Sequence, residues 1–374
     1  MILGCDDKMK KFIMPNYEDS IVNLACSIRK YFGLKNTNKT LEDVDKLLEE
    51  RKPRNVVVIL YDGMGANLVK RNIPGSFLDK HITRPFSSVA PATTTASTTS
   101  MLTGMYPKEH GWLGWDLYFQ PEDKIVTMFT NELKDTNIKA ADYSLGKKYY
   151  PYKTIMEEIA EKGKYESRYI SPYGDINYKN TKDMLDKVYN YCMEDGKKYI
   201  YVYNPEPDST MHELGTDHKK VIKLFESINK STEEMCNKLD EDTLVIIVAD
   251  HGHINSEGIL LENYPDFKDT LDGDIWIEGR TCSFRVKDDD NFKKLFKKYF
   301  SKDFNLYTKE EVLEMNLFGL GKEHKLFMKS LGDYFALAKT DKYFRYCEDS
   351  VNLKSMHAGY TEDEMLIPLI IYYK

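Results

Sequence analysis

At 374 residues and 41 % hydrophobic content, the chain is long enough for a sizeable core and for an α/β architecture carrying insertions. Its formal net charge of −7 argues against polyanion binding through bulk charge, so no nucleic-acid polymer is expected as a partner. The six cysteines are scattered without a CxxC pair, residues 1 to 12 hold no signal-like apolar run, and no stretch reaches the length of a membrane span. The expectation is a cytoplasmic protein with free thiols and no membrane partner.

From residue 18 to 33, Ile21, Val22, Leu24, Ala25, Ile28, Tyr31 and Phe32 recur at helical spacing, and Gly33 supplies a stop. Thr40 with Asp43 has the form of a capping box, opening a helix that ends before Pro53. Asn55 to Leu60, NVVVIL, is a continuous apolar run, the pattern of a strand covered on both faces. It delivers Asp62, Gly63 and Gly65 at its C-terminal end. The stretch PATTTASTTSMLTGMYPKEHG, Pro91 to Gly111, predicts a helix opening at the threonines, a stop at Gly104 and then a loop. A threonine in such a first turn sits where free amides and the helix dipole favour negative charge. Taken alone, the stretch reads first as a polar helix cap.

Two further runs repeat the plan. KYIYVY at 198 to 203 leads into NPEPDSTMHELG, and TLVIIV at 243 to 248 leads into ADHGH, with amphipathic stretches at 181 to 193 and 219 to 239. A last strand spans Met365 to Tyr373. This alternation predicts an α/β fold, a mostly parallel central sheet flanked by helices on both faces, with its crevice at the strands' carboxyl ends. Residues 1–54 read as a helical extension packed on the core, 55–254 and 351–374 as the core itself, and 255–350 as a cap of charged helices and aromatic loops. Within the cap, DNFKKLFKKYF at 290 to 300 reads as a packed surface helix in preference to a membrane-surface one.

The residues able to do chemistry cluster at the predicted strand ends. Asp62 would project into the crevice, although a carboxylate there also caps turns. Asp208 and His212 are one helical turn apart and share a face, a common spacing that also arises without a metal. Asp250 and His251 lie in the turn after a strand, where both reach one ion, and His253 follows as a further ligand or a pocket-wall residue. His357 stands in a glycine-containing loop before the last strand. A carboxylate and imidazole set of this kind suits two divalent cations, zinc first, with manganese or iron also compatible.

The motifs ILYDGMG, PATTT…LTGMYPKEHG, PDSTMHELG, VADHGH and MHAGYTEDEMLIPLI, in this order, resemble the alkaline phosphatase superfamily, closest to its nucleotide pyrophosphatase/phosphodiesterase branch. The resemblance runs from residue 55 to the C-terminus, excepting 255 to 350. It implies an alkaline-phosphatase-like fold with a capping insertion. It places the nucleophile at Thr94, with Thr93 and Thr95 as the neighbouring alternatives. It also implies that Asp62, Thr94, Asp250 and His251 bind one metal, and Asp208, His212 and His357 the other. The implied reaction is two-step, through a phosphothreonine that water then hydrolyses.

Ser97 and His253 are the implied substrate-side residues, Ser97 standing where diesterases of this branch often carry an asparagine. That departure leaves diester preference open, and Arg84 and Arg280 are the available candidates for a monoester clamp. A sulfatase is disfavoured, because Thr94 cannot become formylglycine. The expected activity is hydrolysis of a small phosphate ester or nucleotide, by a phosphodiesterase or pyrophosphatase. The alternatives are a phosphomonoesterase or phosphonate hydrolase on the same metals, and a catalytically silent metal- or phosphate-binding protein.

Overall fold

Every residue of the strand Asn55–Tyr61 is buried, as its unbroken apolar sequence requires, and it lies at the heart of a six-stranded sheet. The computed structural model describes residues 11–374, so the reading of residues 1 to 12, Cys5 included, falls largely outside the described residues. Asn55–Tyr61 pairs in parallel with Lys198–Asn204 on one side and Thr243–Val248 on the other, Asn55 lying opposite both Lys198 and Thr243. Glu166–Ile170 continues the parallel set beyond Lys198–Asn204. On the other flank the C-terminal strand Leu366–Tyr372 runs antiparallel between Thr243–Val248 and Ile82–Ser87. The sheet is thus mostly parallel with an antiparallel edge, and helices cover it, among them Thr181–Met193 and Lys219–Cys236.

The helix Ile21–Tyr31 is buried over most of its length, and its apolar side chains share one core cluster with the sheet. It packs on Thr94–Thr103, and the Arg29 guanidinium bonds the Thr103 carbonyl and Glu158. The expected capping box at Thr40 does not form. The helix Glu42–Arg51 is preceded by Leu41, and Thr40 Oγ1 instead donates to Asp45 Oδ2 at 2.7 Å, an oxygen that also accepts from Lys30 Nζ at 2.8 Å. The YPKEHG segment, expected as a loop, holds the short helix Pro107–His110, whose Glu109 carboxylate accepts the Tyr106 amide at 2.8 Å and the Asn38 side-chain amide at 2.7 Å.

Residues 255 to 350 hold more strand than their sequence suggests. A second sheet of seven strands runs in the order Phe304–Thr308, Tyr334–Ala338, Thr281–Phe284, Trp276–Ile277, Asp116–Phe119, Lys124–Thr127, Glu132–Leu133. Its strands are short, from two to five residues, which leaves too few alternations for a periodicity to register. The basic stretch at 290 to 300 forms the helix Asp289–Tyr299, with Phe292 and Phe296 buried among Phe267, Phe284 and Phe344. No helix among the described residues is long and apolar enough to cross a membrane.

Candidate active site

The carboxyl ends of the three central strands meet at one place, and the backbone ties them together there. Asp62 follows Asn55–Tyr61; its amide donates to the Asn204 carbonyl at 2.9 Å, and the Asp208 amide donates to the Asp62 carbonyl at 3.0 Å. Asp250 lies just past Thr243–Val248, and its Oδ1 accepts the amides of Gly63 and His251, each at 3.0 Å. Glycine at 252 is obligatory, since a Cβ there would lie 1.9 Å from the Asp363 carbonyl oxygen. His357 arrives from the loop after Ser355–Met356, a strand paired with Ile254–Asn255. The next residue, Ala358, holds a left-handed φ of 70°, an uncommon conformation for alanine. Its amide donates to the Ala92 carbonyl and its carbonyl accepts from Thr281 Oγ1, which pins the loop beside the threonine run.

Thr94 is the first residue of the helix Thr94–Thr103, with Thr93 as its N-cap and Gly104, at φ 75°, as its left-handed terminator. First-turn amides of a helix lack intrahelical partners and carry the positive end of its dipole. Thr94 Oγ1 lies 3.2 Å from His251 Nε2 and 3.4 Å from Asp62 Oδ2. Thr93 turns the other way, its hydroxyl donating to Glu278 Oε1 at 2.5 Å, and Thr95 is fully buried. Of the three consecutive threonines, Thr94 is the one whose hydroxyl bonds the carboxylate and imidazole cluster.

The predicted ligands converge in two groups that share Asp208. Asp208, His212, His253 and His357 have ligand atoms all within 4.8 Å of one another, as do Asp62, Asp208 and His251. His212 Nε2 stands 3.3 Å from Asp208 Oδ1, so the shared helical face expected from their spacing is present in Asp208–Leu214. His251 Nε2 is 3.3 Å from Asp62 Oδ1 and 3.4 Å from Asp250 Oδ2. The donor set fits divalent cations on two counts. The buried atoms Asp250 Oδ2 and His357 Nδ1 find no hydrogen-bond partner, which is costly unless something else meets them. His212 Nδ1 is held by the Ser355 carbonyl at 2.8 Å, the arrangement that leaves Nε2 free to bind a metal.

Electrostatics describe the same strain. Burial, followed by repulsion from Asp250 and Asp208, pushes the Asp62 carboxyl well above its usual range, and burial raises Asp250 as well. Burial also pushes His357 well below its ordinary value, with three neighbouring imidazoles adding to the effect. Asp208 goes the opposite way: burial opposes its ionisation, but the imidazoles of His212 and His253 hold it well below the usual carboxylate range. Carboxylates and imidazoles crowded in this way are relieved by bound positive charge.

Several side chains fall elsewhere than the sequence suggests. Ser97 is fully buried, and its hydroxyl lies 2.8 Å from Ser88 Oγ, which in turn donates to the Asp250 carbonyl. Its reach is toward the strand end behind the site. His253 Nε2 sits on Asp208 Oδ1. Arg84 pairs with Asp19 and Asp43, and Arg280 is fully buried against Glu364, so neither faces Thr94.

Sequence reasoning missed Tyr203, whose hydroxyl donates to Asp62 Oδ2 at 2.5 Å. The parallel register, with Leu60 opposite Tyr203, would have indicated it once the two strands were known to be neighbours. It also missed Glu278, which reaches Thr93 from the second sheet.

A cavity of about 350 Å³ opens beside His212 and His357, walled by the second sheet, the strand Lys342–Arg345 and the segment that follows it to Leu353. The fold has clear counterparts. Murine ectonucleotide pyrophosphatase / phosphodiesterase 5 superposes with a TM-score of 0.65 at 16 % identity, over 84 % of this chain and 87 % of that one. The human protein gives 0.65 at 17 % identity, over 85 % and 87 %. An inactive variant of the murine protein, solved in complex with AMP, matches at 0.65 and 15 % identity, over 84 % and 87 %. No curated protein sequence matches. The family model described as type I phosphodiesterase / nucleotide pyrophosphatase matches residues 56–359, the span that contains every predicted ligand. The chain therefore belongs to the type I phosphodiesterase / nucleotide pyrophosphatase family and is a hydrolase.

Proposed function

We infer that the protein hydrolyses phosphodiester or pyrophosphate bonds of small esters, nucleotides among them, with Thr94 as nucleophile and two divalent cations, zinc the best suited, as cofactors. The observation that carries this reading is Thr94 Oγ1 in a first helical turn, 3.2 Å from His251 Nε2 and 3.4 Å from Asp62 Oδ2. Asp62, Asp250 and His251 would hold one ion together with Thr94, and Asp208, His212 and His357 the other. Such ions supply charge that lowers the pKa of a coordinated hydroxyl and offsets charge on the phosphoryl oxygens.

The chain's own residues do the positioning. Asp62 and His251 fix the Thr94 oxygen, and the helix start lets first-turn amides meet developing negative charge. Thr94 Oγ1 attacks phosphorus as an alkoxide while the bond to the leaving oxygen breaks, giving a phosphothreonine. Water then attacks the same phosphorus, releasing the phosphoryl product and restoring the hydroxyl. Arg84 and Arg280 are both committed to carboxylates elsewhere, which favours a diester over a more highly charged monoester. The AMP complex of the murine structural neighbour supports a nucleotide-sized ester.

The test is acid quenching of turnover on an aryl phosphodiester, followed by mass spectrometry of the peptide containing Thr94. A phosphoryl group on Thr94, and a loss of at least about a thousandfold in kcat/KM in Thr94→Ala with metal content retained, are the expected results. Wild-type turnover by Thr94→Ala would rule out the covalent route.

A further inference from the structure

Thr93 caps the helix Thr94–Thr103 by its position but not by its side chain. Its backbone is extended, with φ −137° and ψ 152°, and its carbonyl accepts the Ser97 amide at 2.9 Å, as an N-cap carbonyl does. A threonine placed so ordinarily turns its hydroxyl onto the amide of the second or third helical residue. Thr154 and Thr308 do this in the same chain, accepting the amides of Glu157 and Glu311, each at 3.2 Å. Thr93 accepts no amide, and its hydroxyl donates to Glu278 Oε1 at 2.5 Å instead.

Glu278 is fixed independently of Thr93. Its amide donates to the Thr281 carbonyl at 3.0 Å, in the turn between Trp276–Ile277 and Thr281–Phe284. Its Oε1 also accepts the Trp115 amide at 2.9 Å, while no described residue donates to Oε2. With Thr93 rotated toward this anchored oxygen, the amides of Thr95 and Ala96 find no acceptor among the described residues. They are the two donors that a Thr93 cap would consume, and they lie in the turn that carries Thr94. An uncapped start weakens the helix, yet it leaves both donors for negative charge that develops beside Thr94.

We propose that Glu278 is a positioning residue for the phosphoester hydrolysis inferred above: it draws the Thr93 hydroxyl off the helix start and keeps the Thr95 and Ala96 amides open to the phosphoryl group. It acts through Thr93, and the chemistry stays with Thr94. What the role requires of Glu278 is an acceptor oxygen, not a charge. Loss of that acceptor frees Thr93 to cap the helix, and loss of the Thr93 hydroxyl as well reopens the amides. A purely structural role has the opposite signature, because the second substitution would then add to the damage of the first.

The test follows hydrolysis of bis(4-nitrophenyl) phosphate by the zinc-loaded protein. Glu278→Met, similar in size but without an acceptor oxygen, should lower kcat about tenfold with KM changed less than about threefold, the pattern of donors used only in the transition state. Glu278→Gln, which keeps the acceptor, should recover most of that loss, and so should Glu278→Met combined with Thr93→Val. Either of these remaining as slow as Glu278→Met would overturn the proposal, as would wild-type kcat in Glu278→Met itself. A second measurement needs no variant. Titrating the zinc-loaded wild-type protein with inorganic phosphate should move the Thr95 and Ala96 amide protons downfield in amide-resolved NMR, and protons that stay in place would overturn the proposal. The same titration separates this inference from the hydrolase reading. Absence of ester turnover, with those shifts present in the wild type and lost in Glu278→Met, would reject the hydrolase reading alone. Wild-type turnover with no recovery in the double variant would reject this inference alone.

Discussion

His253 Nε2 lies 2.5 Å from Asp208 Oδ1, and the far side of the same ring lies 3.1 Å from Ser355 Oγ. The Ser355 hydroxyl gives its hydrogen to the Met211 carbonyl at 2.7 Å, so it accepts from His253 Nδ1. The neutral imidazole then has no hydrogen at Nε2, and a proton or a cation must stand between that nitrogen and the carboxylate. His253 therefore positions Asp208, the carboxylate common to both donor groups. Replacing it by alanine should weaken divalent-cation affinity about 10- to 100-fold, the usual cost of losing such a supporting residue. Competition with a chromogenic chelator reads this directly, and glutamine, which keeps a polar partner for Asp208, should recover part of the loss. Unchanged affinity in both variants would remove His253 from the metal centre.

Tyr203 supports the other carboxylate. Its hydroxyl donates to Asp62 Oδ2 at 2.5 Å, so it favours the ionised form that burial otherwise opposes. Tyr203→Phe removes one oxygen and leaves the packing alone. A drop of about tenfold in kcat/KM is expected, together with weaker metal retention. A variant with wild-type values for both would make the bond incidental.

The strands, and the clustering of the candidate side chains at their ends, were legible in the sequence because each element announced itself locally. NVVVIL and TLVIIV have the pattern of covered strands, and a carboxylate following such a run falls in the crevice. Thr94, Asp62, Asp208, His212, Asp250, His251 and His357 do gather at one place. What escaped was non-local. Glu278 reaches Thr93 from just beyond a strand of two residues, Trp276–Ile277, 185 positions away in sequence, and no periodicity marks it. Ser97 was assigned by its place in a motif, yet its hydroxyl is drawn into the core by Ser88, a partner the motif does not contain. The second sheet escaped for the same reason, since it joins strands at 116 to 133 with strands at 276 to 338.

Arg280 and Glu364 form a fully buried ion pair, Nε to Oε1 at 2.6 Å and Nη2 to Oε2 at 2.9 Å, with the carbonyls of Lys342 and Thr340 completing the guanidinium. Glu364 also accepts the amides of Gly359 and Thr361, and so braces the loop that carries His357. Arg280→Met strands a buried carboxylate and should cost about 3–5 kcal/mol in denaturant unfolding. Adding Glu364→Gln should restore part of that, because the uncompensated charge goes. If the single variant were as stable as the wild-type protein, the pair would not be what holds this loop.

Glu278 gives a pH signature with a definite sign. Burial raises its folded-state pKa from 4.5 to about 7, so between those values the native protein holds a proton that the unfolded chain has released. Stability contributed by this group therefore falls as pH rises through that window, and the penalty is complete above about 7. Glu278→Gln removes the ionisation and keeps an oxygen for Thr93 and the Trp115 amide. In the metal-free protein, where no added positive charge lowers this pKa, the variant should gain stability over the wild type at pH 8 by about 2 kcal/mol, allowing for partial solvent screening. At pH 5 the two should be nearly equal. Denaturant midpoints at both values decide the matter: a variant less stable than the wild type at pH 8 would mean that the carboxylate is compensated in the folded protein, and that its open oxygen faces a partner already in place.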